Sequence, residues 1–137
     1  MRDRVPGMHF EILVEDQSGK RMLDFLVPRI IATADSFTIR AYKGVGRIPP
    51  GLRGQIDASK RILLDRLPAL LRGYGKAFNF PAAVIVVCDL DSRCLKRFRQ
   101  ELLAVLDACD PRPETRFCSA VEEGEAFRGK LRELSGG

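Results

Sequence analysis

The fold this sequence predicts is an α/β fold, a three-layer α/β/α sandwich on a mostly parallel four-stranded sheet, and three observations predict it. Short apolar runs alternate with longer helical patterns along the chain, the sign of strands joined by helical crossovers. The run Ala82 to Cys88 is apolar at every position, as in a strand covered on both faces. The segment Ser92 to Cys109 repeats Leu95, Phe98, Leu102, Val105, Leu106 and Cys109 at helical spacing, until Pro111 and Pro113 stop it. A strand order of 2-1-3-4 would set the first and third strands side by side.

Taken in order, Met8 to Val14 reads as the first strand. A helix then opens at Ser18 or Gly19 and carries Met22, Leu23, Leu26 and Ile30, with Pro28 kinking it or ending it early. From Ser36 to Tyr42, Phe37, Ile39 and Ala41 alternate with polar residues, which suits a strand nearer an edge. Four glycines and two prolines between Lys43 and Gln55 make that stretch a loop. Asp57 to Tyr74 is helical, with Leu63, Leu67, Leu70, Leu71 and Tyr74 on one face and Pro68 expected to split it. After the third strand and its helix, Thr115 to Val121 is the fourth strand and Glu122 to Leu134 a last short helix.

A length of 137 residues fits one domain with a real core, assigned to residues 8–137, behind a flexible extension at 1–7. No apolar stretch approaches the ~20 residues of a membrane helix, so the expectation is no membrane partner. The start, Met-Arg-Asp-Arg-Val-Pro-Gly, lacks the apolar middle of a signal peptide. Four cysteines without a C-x-x-C pair, beside the single His9, argue against a zinc site and fit reduced thiols acting as small hydrophobes. Both features point to the cytoplasm.

The formal charge of +5 is unevenly spread. Nine basic residues lie between Arg40 and Lys76 against Asp57 and Asp65 alone, so the rest of the chain is net acidic. Such a segment fits a phosphodiester ligand, although a solvated helix face would carry the same charges.

The acids fall at strand ends. Glu15 and Asp16 follow the first strand; Asp89 and Asp91 follow the third. In open α/β sheets the carboxyl rim is where ligands bind. Like charges gathered there are costly unless a cation offsets them. Oxygen ligands alone suit Mg2+, or Mn2+ in its place, and such an ion assists phosphoryl chemistry. A plainer role for Asp89 is to cap the helix that begins near Ser92.

These residues resemble a Toprim domain, the catalytic module of type IA topoisomerases, bacterial primases and OLD-type nucleases. That family carries a glutamate after its first strand and Asp-x-Asp after its third. Val14-Glu15-Asp16 stands where those proteins have Val-Glu-Gly, and Asp89-Leu90-Asp91 matches Asp-x-Asp. The nearest likeness is to a family of uncharacterised bacterial proteins with an OLD-nuclease-like Toprim core. Its Leu-Pro pair, Tyr-Gly segment and Glu-Ala-Trp motif correspond to Leu67-Pro68, Tyr74-Gly75 and Glu125-Ala126-Phe127. The likeness spans Met8 to Phe127, with Asp16 departing from the family's glycine. Members of that family continue further, so the chain reads as truncated or minimal at its C-terminus.

The resemblance implies a Mg2+- or Mn2+-dependent nuclease acting on DNA or RNA. Glu15 would be the catalytic acid–base and a metal ligand, Asp89 and Asp91 the principal ligands, and Glu125, with Glu122 or Glu123 beside it, part of a second ion site. Acids at a helix start also complement its dipole, which gives the last three a structural alternative. OLD-type nucleases join an ATPase to the Toprim domain, so a second reading is a non-catalytic module working with a separately encoded ATPase.

Lys43, Arg47 and Arg53 flank the glycine-rich loop and are the candidate nucleic-acid contacts. Lys43-Gly-Val-Gly-Arg47 lacks the Gly-Lys-Ser/Thr ending of a nucleotide-binding loop. Lys20 near a helix start is a weaker candidate for a phosphate. A two-component receiver fold is disfavoured by the roughly 74 residues between the acidic pairs and by the missing threonine and lysine at later strand ends.

Overall fold

A computed structural model describes residues 7–44, 63–88, 92–119 and 125–135. Among these residues four strands, β1 (His9–Val14), β2 (Ser36–Ala41), β3 (Ala82–Cys88) and β4 (Thr115–Ser119), form one sheet in the order β2-β1-β3-β4. All three pairings are parallel. The described helices that connect or follow them are α1 (Gln17–Leu26), α2 (Leu63–Ala77), α3 (Ser92–Asp107) and α4 (Glu125–Ser135).

Each central strand buries both faces, which explains why its sequence is nearly continuous in apolar residues. Phe10, Ile12 and Val14 of β1, with Ala83, Ile85 and Val87 of β3, meet Leu23 of α1 and Leu131 of α4. Leu13, Val84, Val86 and Cys88 point the other way, onto Leu63, Leu67 and Leu71 of α2 and Phe98, Leu102 and Val105 of α3. The three-layer sandwich follows directly. Successive parallel crossovers keep one hand, so a chain that steps outward from β1 to β2 and then back to β3 must change faces between α1 and α2.

Asp16 sets the start of α1, with its carboxylate accepting the Gly19 amide at 2.7 Å. Pro28 does end this helix early: α1 stops at Leu26 and a 3-10 turn covers Val27–Arg29. Pro68, in contrast, does not split α2, which is continuous from Leu63 to Ala77. The ring removes one amide donor, yet Leu63, Leu64, Leu67 and Leu71 are anchored in the core on both sides of it. That burial outweighs one missing hydrogen bond. The last strand and the last helix are described over Thr115–Ser119 and Glu125–Ser135, and the expected strand end at Val121 and helix start at Glu122 lie outside the described residues. Among the described residues no helix is long and apolar enough to cross a membrane.

Candidate functional site

The register fixes the rim. Val14 pairs with Ala41 on one side and Val87 on the other, so β1 and β3 end at the same level of the sheet. Glu15 follows β1 there, half-buried, and its carbonyl accepts the Gly44 amide at 2.9 Å. Gly44 has φ +124°, a conformation glycine adopts without strain, and its own carbonyl receives the Leu63 amide at 3.0 Å. The exposed Lys43 precedes it, beside the same rim.

Asp89 and Asp91 lie outside the described residues, as do Arg47, Arg53, Glu122 and Glu123. β3 is described up to Cys88, the residue before Asp89. Glu125 opens α4, but its side chain is likewise not described. Among the described residues no three His, Cys, Asp or Glu side chains form a metal-sized group. Asp16 acts as a helix cap, and Lys20 pairs along the helix with Asp24 at 2.8 Å, a role that needs no phosphate.

Glu15 brings a carboxylate to this rim, and Asp89 and Asp91 are carboxylates that follow β3 in sequence. Together they would offer the all-oxygen chemistry that suits Mg2+ or Mn2+.

A second polar constellation, not singled out by the sequence, lies on the α2 side of the sheet. Glu11, in the middle of β1, is 6% exposed and is the one buried charged residue among those described. Its Oε1 meets His9 Nε2 at 3.0 Å, while Oε2 accepts from Arg40 Nε at 3.2 Å and the Tyr74 hydroxyl at 3.1 Å. His9 Nδ1 also reaches Ser36 Oγ at 2.8 Å. A carboxylate buried in an apolar strand must be partnered, and this one has three partners.

The cluster shifts its members. The hydrogen bond to Glu11 raises the Arg40 pKa. Burial first, and then the Glu11 charge and hydrogen bond, push the Tyr74 hydroxyl well above the usual tyrosine range. Tyr74 in turn stacks on Phe78 with ring centroids 5.3 Å apart. An acid within an otherwise apolar strand was the available sequence signal.

Between β2 and α2 the same face opens into a groove of about 430 Å3, lined in part by Arg40, Tyr42, Arg66, Leu70, Gly73 and Tyr74. The chain matches no family model, no curated protein and no solved structure.

Proposed function

We propose that the chain is a Toprim-like, Mg2+- or Mn2+-dependent nuclease that hydrolyses phosphodiester bonds of DNA or RNA. The observation that carries the reading is the reversal of strand order between β1 and β3. In open α/β sheets ligands bind outside the carboxyl ends of the strands at such a switch point. Glu15 directly follows one of these two strands, and Asp89 and Asp91 follow the other in sequence.

Asp89 and Asp91 would hold the ion with Glu15, and Glu125 would serve a second one. A bound ion would polarise a phosphoryl oxygen and make water a competent nucleophile at neutral pH. Glu15 would move the proton between water and the departing oxygen. Lys43, with Arg47 and Arg53, would attract the phosphate backbone.

The test is calorimetric titration with Mg2+ and Mn2+, alongside cleavage assays on single- and double-stranded DNA and RNA. Cleavage that stops with chelator and is lost in Glu15→Gln supports the reading. Joint replacement Asp89→Asn and Asp91→Asn should remove metal binding. Metal binding without cleavage of any substrate would favour the non-catalytic module with its separately encoded ATPase. No metal binding at all would overturn both.

A further inference from the structure

We infer that the groove between β2 and α2 is the track for a single nucleic-acid strand leaving the carboxyl rim. The inference rests on the nuclease reading for where the strand comes from, while the groove's own chemistry stands on the residues that line it. α2 begins beside Gly44 at the rim and runs back along β2, so the trough descends from the rim. Arg66 lies in the first turn of that helix. Arg40 pairs with Leu13, two residues before Glu15, about 7 Å along the strand from it. Two guanidinium groups thus flank the upper part of one trough, on opposite walls.

Glu11 prepares Arg40 for this role. A guanidinium carries five donors in a planar fork. Glu11 engages the Nε donor of that fork, and the side chain remains 53% exposed, so donors remain for a phosphate. Holding the fork in one plane from behind reduces the ordering cost of binding. Arg66 takes no part in the cluster and adds the positive charge that Glu11 cancels at Arg40.

On the α2 wall, past Arg66, Gly73 carries no side chain. A Cβ built on Gly73 meets nothing within 4 Å, so this turn of α2 opens onto free space. A trough of about 430 Å3 has the size of a small-molecule pocket, which suits one strand better than a duplex. The half-buried Tyr74, one face of which stacks on Phe78, lines the trough beside the arginines, and aromatic rings next to cations are a feature of single-strand sites.

Fluorescence anisotropy of a labelled oligothymidylate in chelator tests the groove without any metal chemistry. Arg66→Glu should weaken binding roughly tenfold or more and lower the log–log salt slope by about 0.7. Gly73→Trp should block the trough, with a similar loss of affinity and an unchanged or higher melting temperature. These two variants spare the Glu11 cluster, so misfolding does not confuse the result. Wild-type affinity in both, or no measurable binding by the wild-type chain, would overturn the inference. Hydrolysis of bis-p-nitrophenyl phosphate by the wild-type chain with Mn2+ tests the metal centre separately. A dead hydrolase with a working groove, or the reverse, is then distinguishable.

Discussion

The Tyr74 hydroxyl donates to the carboxylate of Glu11 across 3.1 Å and ties the last third of α2 to the middle of β1. The same tyrosine is the first residue of the Tyr74-Gly75 segment. Both halves of that pair have structural work: the tyrosine satisfies a buried acid, and the glycine permits a close contact with the loop before β4.

Removing the hydroxyl isolates the first role. Tyr74→Phe should destabilise the fold by about 1–2 kcal/mol, because the half-buried bond is made to a carboxylate that keeps its other partners. Urea unfolding followed by circular dichroism would read the change. The same variant should alter the alkaline limb. Folded Tyr74 keeps its proton to higher pH than an unfolded tyrosine. Its contribution is therefore full below about pH 10 and declines as pH rises above that value. The urea midpoint of Tyr74→Phe should fall less steeply between about pH 9.5 and 11 than that of the wild-type chain.

The second role predicts opposite signs for two glycines of one helix. A Cβ on Gly75 would overlap the Pro111 carbonyl oxygen, a backbone atom that cannot swing aside. Gly75→Ala should cost about 1–3 kcal/mol through overpacking. Gly73→Ala meets open space and should stabilise the helix by up to about 1 kcal/mol. Thermal melts of the two variants, run side by side, check the contrast.

Asp16 should behave as a cap. Asp16→Ala is expected to cost about 0.5–2 kcal/mol, and Asp16→Ser to recover most of that loss. If calorimetry instead shows Asp16→Ser losing divalent-ion binding, the side chain has a ligand role that its bond to Gly19 does not reveal.

Cys88, Cys109 and Cys118 are buried. Burial pushes the Cys109 thiol up, and its sulfur already lies 3.2 Å from the Val105 carbonyl as a donor. These three should react slowly with Ellman's reagent at pH 8 and rapidly in denaturant. Fast native reaction at Cys109 would show that the turn closing α3 opens readily.

Much of the fold was legible because burial on two faces leaves a strong mark. Ala82–Cys88 is bounded as its apolar run suggested, the alternation of elements pointed to a parallel sheet, and the order expected from bringing the first and third strands together is the order found. Pro68 misled because a local rule about hydrogen bonds says nothing of the four leucines that hold α2 in place. At the rim, Glu15 was visible as an acid that ends an apolar strand. Glu11 was not, since its partners Arg40 and Tyr74 stand 29 and 63 positions away along the chain. Its place in an apolar strand marks it as unusual, but nothing local names its partners until the strands are assembled.

With β2 and β4 on the outside, separation of the sheet begins at its flanks, and β1 parts from β3 last. Local opening free energies rise from such margins toward the centre. In deuterium exchange the amides shared by β1 and β3 should therefore outlast those along the outer edge of β2. Glu15 leaves the sheet from that slow-exchanging pair. Brief fraying of either margin would not change the spacing of the two strand ends.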